Sequence, residues 1–349
     1  MSADGSGPGP RPEGRIGLEH GSGGPAMRAL IEGLFAEGFG DPEGGLGLGA
    51  LDDGAALRLG DRWLVVTTDS HVIKPIFFPG GDIGRLAVSG TVNDLAVMGA
   101  TEPMALTCAV ILEEGFLRAD LERIWRSVRE TCREVGVAVV TGDTKVMGRG
   151  EIDGIAINTT GLALADRVVS DGALCPGDRL LLTGTLGDHG LAVMATRNQL
   201  ALESDLVSDV APLSDLLRGA LEAGGEGVVA MKDPTRGGFS SALHELAAKS
   251  GVGILIDEAS VPIRDEVRAV GELLGIDPLQ VANEGKAVLG VRPGLADAVL
   301  AALRGHPRGR DAAIVGTCIA ESPGRVILDT GFGNRLLSEL SGDPLPRIC

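Results

Sequence analysis

Short apolar runs alternate with amphipathic segments along most of this chain, which is the pattern of a mixed α/β protein. The clearest helix is predicted over Leu117–Val135, where apolar residues recur every three or four positions on one face. A second helix is predicted over Asp82–Gly99. Apolar runs of strand length at Trp63–Asp69, Met104–Leu112, Val137–Thr141 and Ile152–Leu164 predict strands. The strand Val137–Thr141 is predicted to end in a polar turn, Gly142-Asp143-Thr144-Lys145. The first part of the chain therefore predicts a sheet covered by helices.

The second part of the chain repeats this pattern after a turn at Pro176-Gly177-Asp178. Helices are predicted over Asp209–Ala223 and Phe239–Lys249. Strands are predicted at Arg179–Thr183, Val228–Met231, Gly253–Ile256, Ala287–Val291, Ala312–Thr317 and Arg325–Leu328. The predicted class is α/β (α+β), with a disordered leader over 1–14, an N-terminal domain over 15–165, a C-terminal domain over 166–338 and a flexible tail over 339–349.

Composition narrows the choice of function. The formal net charge of −17 argues against nucleic acid and against an anionic membrane surface, because both require a basic protein surface. It does not argue against ATP, since Mg²⁺ bridges carboxylates and phosphates. The five cysteines are odd in number and form no Cys-x-x-Cys pair, which predicts neither a disulfide framework nor a zinc site. With no secretory signal and no apolar run of membrane-spanning length, the chain is predicted to be cytoplasmic.

The last nine residues, Ser341–Cys349, predict an extended arm. Pro344 and Pro346 prevent a helix there, and fully stretched the segment would reach about 30 Å. A solvent-facing thiol at the end of such an arm could visit more than one site. The alternative is an incidental cysteine on a frayed terminus.

Five aspartates, mostly at predicted strand ends or in glycine-flanked turns, form a candidate metal site. Strand ends at one edge of a sheet converge, and converging carboxylates repel one another unless a cation lies between them. Mg²⁺ is the natural cation for oxygen ligands shared with phosphates. For any single aspartate the alternative is a turn residue or a helix cap. The candidates are Asp53, Asp69, Asp94, Asp143 and Asp233, with Asp52 as a further candidate beside Asp53.

Other polar residues in glycine-rich contexts suggest phosphate chemistry. Asp233–Gly238 combines an acid, a rigid turn, a hydroxyl, a guanidinium and two glycines ahead of a helix. Lys145 could neutralise a phosphate, or be a plain surface lysine, and Glu284 could be a base, a lysine partner or an exposed loop acid. The His20–Pro25 loop could hold a phosphate or merely connect elements. His189 and His244 are predicted to be structural.

Taken together, these motifs resemble those of the HypE family, [NiFe]-hydrogenase maturation proteins of the AIR synthase-related (PurM-like) superfamily. The closing Pro-Arg-Ile-Cys is specific to HypE, whereas the acidic motifs occur throughout the superfamily. Two positions depart from the family pattern, Gly54 within the Asp-Asp-Ala-Ala run and Ser89 at a frequent cysteine. The matching stretches are His20–Gly24, Asp52–Ala56, Thr67–Ser70, Phe77–Leu86, Gly90–Leu95, Val140–Val146, Asn158–Gly161, Gly187–Gly190, Asp233–Gly238, Ala282–Lys286 and Pro346–Cys349.

The resemblance implies a fold and a reaction. The fold would be two α/β domains, with the N-terminal domain completing a barrel across a homodimer and ATP near the dimer interface. The carbamoyltransferase HypF would place a carbamoyl group on Cys349. The chain would then use ATP to dehydrate the S-carboxamide to an S-cyanate, and the cyano group would pass to iron held by the HypC–HypD complex.

The resemblance also implies roles for the candidate residues. Cys349 would carry the reacting group, and either Glu284 or Lys145 would remove the nitrogen proton, a choice that the sequence leaves open. Mg²⁺ would be bound by the aspartates given above. ATP phosphates would be bound with the help of Asn93, Thr144, Asp233, Thr235, Arg236 and Gly237.

The sequence is also compatible with two other kinds of function. One is another enzyme of the superfamily, namely AIR synthase, thiamine-monophosphate kinase or selenophosphate synthetase. A selenophosphate synthetase should have its reactive residue near the N-terminus, and none of the five cysteines precedes Cys108. The other alternative is a non-catalytic scaffold that binds a structural cation and docks through its tail.

Overall fold

The chain folds into two α/β halves, each built on one mixed sheet. The computed structural model describes residues 14–200, 206–339 and 348–349. The first half contains helices α1 (Gly24–Leu30), α2 (Ile83–Val97) and α3 (Arg118–Val135), and strands β1 (Ala55–Leu59), β2 (Arg62–His71), β3 (Phe77–Phe78), β4 (Gly81–Asp82), β5 (Pro103–Glu113), β6 (Val139–Met147) and β7 (Ile155–Ala165).

The second half contains more and shorter elements. Its helices are α4 (Asp188–Arg197), α5 (Ser214–Gly224), α6 (Gly238–Ser250), α7 (Asp265–Leu274) and α8 (Ala296–Gly305). Its strands are β8 (Arg179–Leu182), β9 (Val228–Lys232), β10 (Gly253–Asp257), β11 (Val288–Val291), β12 (Ala313–Ile319), β13 (Val326–Asp329) and β14 (Asn334–Leu336). No helix within the described ranges is both long and apolar enough to cross a bilayer.

The first sheet has the strand order β1-β2-β7-β5-β6, in which only β5 and β6 run parallel. Its two covering helices form where the sequence predicts them. Asp82 caps α2, because its side chain accepts hydrogen bonds from the N–H groups of Gly84 and Arg85 at 2.8 and 3.0 Å. The predicted apolar face of α3 is confirmed, with Ile124 and Val128 buried.

The two faces of this sheet differ in exposure. Along β7 buried and half-buried residues alternate without exception, because one face packs against helices and the other does not. On β5, Val110 and Leu112 are buried while Ile111 between them is 36% exposed. We call the half-exposed side, which carries Ile111, the open face. It leaves a broad surface of small, apolar and threonine side chains without a covering layer among the described residues.

One strand boundary changes the position of three candidate residues. The sequence predicts that β6 ends at Thr141 and is followed by a polar turn, but the strand continues to Met147. Asp143 and Lys145 pair with Ala109 and Ile111 of β5 and share their face of the sheet. They therefore project from the open face rather than from a turn at the sheet edge.

The second sheet has the order β14-β13-β10-β12-β8-β11-β9, and its strands β8, β9 and β11 are buried on both faces. Leu180 and Leu182 of β8 belong to a core cluster with Phe239 of α6. Leu181, between them, belongs to a cluster on the other face with Leu217 of α5. This two-sided burial explains why β8, β9 and β11 appear in the sequence as short, largely apolar runs. The predicted helix over Asp209–Ala223 starts later, at Ser214.

Candidate active site

A cavity of about 960 Å³ lies between the two halves, next to the part of β2 that β1 does not cover. It is lined by the strand residues Thr67–His71, by Asp94 of α2 and by the segment that follows β9. Most of the predicted site residues meet there. Those that line it are Asp52, Asp53, Asp69, Asp94, Asp233, Thr235, Arg236, Glu284 and Cys349.

Asp94 shows how the fold brings an acid into an apolar helix. It lies within α2, between the buried residues Asn93 and Leu95, and Thr67 of β2 donates a hydrogen bond to its Oδ2 at 2.9 Å. Burial raises the pKa of Asp94 well above its usual range, and the nearby charge of Asp233 raises it further. An acid so placed binds a cation readily, because the cation replaces the missing solvation.

Asp233 and Glu284 extend this acidic cluster from the second half. Burial raises the pKa of Asp233 to about 8, with a further contribution from Asp53. Burial also raises the pKa of Glu284 well above its usual range, and repulsion from Asp233 adds to it. Asp233 Oδ2 and Glu284 Oε1 are buried without a hydrogen-bond partner among the described residues. Such oxygens need a proton, a cation or a ligand donor.

Tight packing at one glycine places Glu284. A Cβ on Gly285 would lie 1.9 Å from the carbonyl oxygen of Asp209, so only glycine allows the two segments to approach this closely. The Asp209 carboxylate also accepts a hydrogen bond from the Glu284 N–H at 3.1 Å. The backbone thus holds the Glu284 side chain against the cavity.

Asp52 and Asp53 each pair with a lysine in this structure, and the role of Asp53 as a metal ligand stays a prediction. Lys232 lies 2.6 Å from Asp53 Oδ1 and 3.1 Å from Glu245, and it also contacts Asp171. Although burial favours the neutral amine, these carboxylates raise the pKa of Lys232 well above its usual range.

Lys249 makes the corresponding pair with Asp52, 2.8 Å away, and with Asp171, 2.7 Å away. Burial and the neighbouring Asp171 raise the pKa of Asp52 to about 7. Asp52 therefore belongs to an ionic network that ties the first half to the second. Its role as a metal ligand stays a prediction that this pairing does not favour.

Arg236 supplies the positive charge on the opposite side of the cavity. Its guanidinium lies 3.8 Å from Asp69 Oδ1. Burial alone would raise the pKa of Asp69, but the neighbouring His71 and Arg236 outweigh it and lower that pKa. Gly23 and Gly24 of the predicted glycine-rich loop also line the cavity. An anionic group entering here would meet a guanidinium next to an ionised carboxylate.

Gly237 does not line the cavity but shapes its wall. It has a φ of +75° and is the residue before α6, where a Cβ would lie 2.1 Å from Ser241 Oγ. A side chain is therefore excluded, and the tight turn holds the preceding Thr235 and Arg236 at the cavity.

The two last residues of the chain lie in the cavity region rather than in solvent. Ile348 is 6% exposed and belongs to the core cluster that contains Ile73 and Phe78, and half-buried Cys349 packs against it. The Val72 N–H, just beyond β2, donates a hydrogen bond to a main-chain oxygen of Cys349 at 3.3 Å. The predicted solvent-facing thiol is thus wrong for this structure, and the two prolines of the predicted arm lie outside the described residues.

Asn93 is not a phosphate ligand in this arrangement. Its side-chain amide donates to the carbonyl oxygens of Ala211 and Glu284 at 3.1 and 3.4 Å, and its oxygen accepts from the Leu213 N–H at 2.7 Å. All of its hydrogen-bonding groups are therefore committed to backbone. Asn93 joins α2 to the second half and, through Glu284, to the cavity wall.

Asp143, Thr144 and Lys145 are also absent from the cavity. They lie on β6, three strands away from β2, which is about 14 Å across the sheet. Asp143 and Lys145 project from the open face, while Asp143 and Thr144 border a smaller groove next to Trp125 of α3. One chain cannot bring these residues to its own cavity without unfolding the sheet.

The sequence did not indicate several residues that the structure places at the site. Lys232 is the last residue of an apolar strand and directly precedes Asp233. A lysine at the end of such a strand indicates a buried ion pair, so the sequence could have predicted this contact. Asp171, Glu245 and Lys249 gave no comparable sign, since each is ordinary for a turn or a helix surface. His189 was expected to be structural, and it contacts the tail.

The donor chemistry of the cavity fits Mg²⁺ shared with phosphates. Within the ranges 14–200, 206–339 and 348–349, no three metal-binding side chains already surround a common position. The unpartnered oxygens of Asp233 and Glu284, and the raised pKa of Asp94, nevertheless mark carboxylates that a cation would stabilise. A hard cation with some ligands from phosphate matches this incomplete set.

The buried acids predict an unusual pH dependence of stability. A carboxyl whose pKa rises from 3.8 to about 8 on folding, as for Asp233, binds more protons folded than unfolded over that range. Stability should therefore fall as pH rises from about 4 to about 8. We expect the ligand-free chain to melt at a lower temperature near pH 8 than near pH 6, and Mg²⁺ to raise the melting temperature more near pH 8.

Calorimetry of two variants checks this expectation. In Asp233→Asn, the melting temperature and its increase by Mg²⁺ should both vary less with pH than in the wild type. Asp61→Asn, in the exposed turn before β2, should leave both pH dependences unchanged. A melting temperature that rises steadily over the same pH range would contradict it.

Comparison with known proteins supports this fold. Residues 51–165 match the AIR synthase related protein N-terminal domain, and residues 175–329 match the corresponding C-terminal domain. The chain is 48% identical over 340 residues to the carbamoyl dehydratase HypE of Rhizobium leguminosarum bv. viciae, covering 96% of this chain and 95% of that protein. The chain belongs to the HypE family.

Two solved structures of this family superpose on nearly the whole chain. One is described as HypE in complex with ATP, with a TM-score of 0.80 and 43% identity, covering 95% of this chain and 99% of that one. The other is a HypE–HypF complex, with a TM-score of 0.83 and 42% identity, covering 89% and 100%. The predicted family and the two-domain AIR synthase-like fold are thereby confirmed.

Proposed function

We propose that this chain is an ATP-dependent dehydratase of a carboxamide carried on its own Cys349, as part of hydrogenase maturation. The observation that carries the proposal is the position of Cys349, which lines the same cavity as the acidic cluster and Arg236. A scaffold would have no use for a thiol among unpartnered acids. The carbamoyl dehydratase relatives and the ATP complex within the family support the reaction type and the nucleotide.

The reaction removes one molecule of water from the S-carboxamide in two steps. First, the γ-phosphoryl group of ATP moves to the amide oxygen, an N–H proton leaves, and an O-phosphorylated imidate and ADP form. Then the remaining N–H proton is removed, the C–O bond breaks, and phosphate departs from the S-cyanate. Phosphorylation is needed because the amide oxygen is otherwise a poor leaving group.

The residues of the cavity suit the first step. Asp69, Asp94 and Asp233 would hold Mg²⁺, which supplies charge neutralisation for the phosphates when bound. Arg236, with Thr235 beside it, would contact the transferring phosphoryl group. Lys232 keeps Asp53 in place and prevents that acid from repelling the nucleotide.

Glu284 suits the second step. It is 3% exposed, and burial raises its pKa, so its carboxylate is a stronger base than an ordinary glutamate once ionised. A cation bound at the neighbouring Asp233 would favour the ionised form. Because Lys145 lies outside the cavity of its own chain, Glu284 is the better candidate for proton removal.

A homodimer would bring the missing residues to the site. Thr68, Ser70 and Thr160 have the register of the open face and also line the cavity, so the cavity reaches that face. A second copy stacked on the open face would complete a barrel and could present its own Asp143, Thr144 and Lys145. It would also cover Ile111 and the other half-exposed apolar side chains.

The partners follow from the chemistry of the tail. The carboxamide must be placed on Cys349 by a carbamoyltransferase, and the HypE–HypF complex in the family points to HypF. We further propose that the cyano group passes to iron on the HypC–HypD complex in the cytoplasm, with no role for nucleic acid or membrane.

Intact-protein mass spectrometry tests the proposed function. The chain is incubated with HypF and carbamoyl phosphate, and then ATP is added. We expect Cys349 to gain one carbamoyl group and then to lose one water only in the presence of Mg²⁺ and ATP. Carbamoylation that persists after ATP addition would contradict the proposal.

Glu284→Gln separates the two chemical steps. The amide keeps the size of the side chain but is not a base, so carbamoylated protein should accumulate and cyanate formation should slow by about 10²- to 10⁴-fold. ATP affinity, measured by calorimetry, should change little. Glu32→Gln is the matched control, since Glu32 lines the cavity without contacting the acidic cluster. Cyanate formation at the normal rate in Glu284→Gln would remove Glu284 from the mechanism.

A further inference from the structure

The tail is held in the cavity by its main chain. His189 Nε2 lies 2.7 Å from the carbonyl oxygen of Ile348, one residue before the reactive thiol. His189 is at the start of α4 and has no exposed surface. Because the imidazole and Ile348 are both buried, their hydrogen bond is part of the packed structure rather than a surface encounter.

Hydrogen bonding at the other ring nitrogen fixes the tautomer of His189. The Ile348 carbonyl can only accept, so Nε2 must be protonated. Nδ1 lies 2.8 Å from Ser208 Oγ, and the Val210 N–H donates to that same Oγ at 3.0 Å. Ser208 therefore donates its hydroxyl proton to Nδ1. Burial also lowers the pKa of His189, which keeps the ring neutral and Nδ1 an acceptor.

Packing holds the ring against movement. The Phe78 ring meets His189 edge to face, with centroids 5.3 Å apart and planes at 89°. The Ser208 N–H donates to the Pro79 carbonyl oxygen at 2.8 Å, which joins the serine to the same segment as Phe78. The donor that meets the tail is thus held from both sides.

We propose that His189 is a positioning residue: it donates a hydrogen bond from Nε2–H to the Ile348 carbonyl oxygen and so holds the Cys349 group in the cavity for dehydration. We call this hydrogen bond the clasp. The clasp contacts only backbone, so it accepts the tail whether Cys349 is free, carbamoylated or cyanated. Together with the Val72 N–H bond to Cys349, it fixes the tail on both sides of the last peptide bond. The catalytic part of this inference rests on the proposed function, whereas the docking part does not.

Two amide substitutions separate the tail contact from the structural contact. The amide nitrogen of His189→Gln occupies nearly the position of Nε2 and keeps a donor for Ile348. The amide of His189→Asn reaches nearly the position of Nδ1 and keeps the Ser208 contact instead. If His189 only stabilises the fold through Ser208, His189→Asn should affect the protein less than His189→Gln. If His189 holds the tail through Ile348, His189→Gln should affect the protein less.

Alkylation of the tail thiol by iodoacetamide measures docking without any reaction. We expect Cys349 to react roughly tenfold faster in His189→Asn than in the wild type, since about one hydrogen bond is lost, and at the wild-type rate in His189→Gln. Cys175 is an exposed thiol in the same chain, so its rate serves as the internal reference and should not change. Equal Cys349 rates in all three proteins would overturn the clasp.

Single-turnover dehydration measures the consequence for catalysis. With carbamoylated chains, His189→Asn should form cyanate roughly tenfold more slowly and His189→Gln should not, while carbamoyl transfer by HypF should proceed normally in both. Equal slowing in both variants would overturn the positioning role. A wild-type chain that fails to dehydrate would instead contradict the proposed function, and the alkylation result would still decide the docking of the tail.

Discussion

Cys349→Ala should abolish cyanate formation completely while leaving ATP binding intact. In the proposed reaction the sulfur of Cys349 is the atom to which the reacting carbon is attached, so no other residue could substitute for it. The substitution removes only the side-chain sulfur and leaves the acids of the cavity in place, although Cys349 contributes to the raised pKa of Arg236, which burial opposes. Intact mass after incubation with HypF, and calorimetric titration with Mg-ATP, measure the two properties.

Cys175→Ala is the matched control for that experiment. Cys175 is also a free thiol and is more exposed than Cys349, but it lies outside the cavity at the start of the second half. We expect it to gain the carbamoyl group and to dehydrate it at the normal rate. A carbamoyl mass shift on the Cys349→Ala chain would show that the tail is not the acceptor.

The second large effect concerns Lys145. Lys145→Ala alone should lose most dehydration activity if this residue acts in the cavity of a second copy. A mixture of Lys145→Ala and Cys349→Ala chains should then regain activity, because one site of each mixed dimer contains an intact tail and an intact lysine. With equal chains and free exchange, about a quarter of the sites would be complete.

The mixed-dimer measurement also excludes the alternative arrangement. If Lys145 served the cavity of its own chain, neither type of site in a mixed dimer would be complete and the mixture would stay inactive. Lys74→Ala mixed with Cys349→Ala provides the control, since Lys74 is exposed and pairs with Asp153 at 3.1 Å away from the cavity. That mixture should lose only the share of sites that lack Cys349.

The secondary structure could largely be predicted from the sequence because it depends on the spacing of residues that are near one another in the chain. The face of α3 follows from the spacing of apolar residues between Leu117 and Val135, and the structure buries that face. Asp94, by contrast, lies within the predicted helix over Asp82–Gly99, and its hydrogen-bond partner Thr67 comes from a strand elsewhere in the chain. For α3 the residues that decide the outcome are close together in the chain.

The rest depended on contacts between distant segments. Asp143 reads as an acid in a polar turn, but pairing with β5 extends β6 through it and turns it to the open face. The family resemblance implies that Asn93 is a phosphate ligand, yet it binds backbone more than a hundred residues away, at Ala211 and Leu213. The buried pairs of Lys232 and Lys249 likewise join residues from both halves. Local composition contains no information on such pairings.

The position of Cys349 at the cavity has a consequence for kinetics. A reactant that belongs to the chain is present at its site at a high effective molarity, however dilute the protein is. Each carbamoylation of Cys349 by the transferase would permit one dehydration. The overall rate would therefore depend on how often Cys349 is carbamoylated and the cyano group removed, and not on the concentration of a freely diffusing amide. The cyano group would also travel bound to protein, so the cell would never be exposed to it as a free poison.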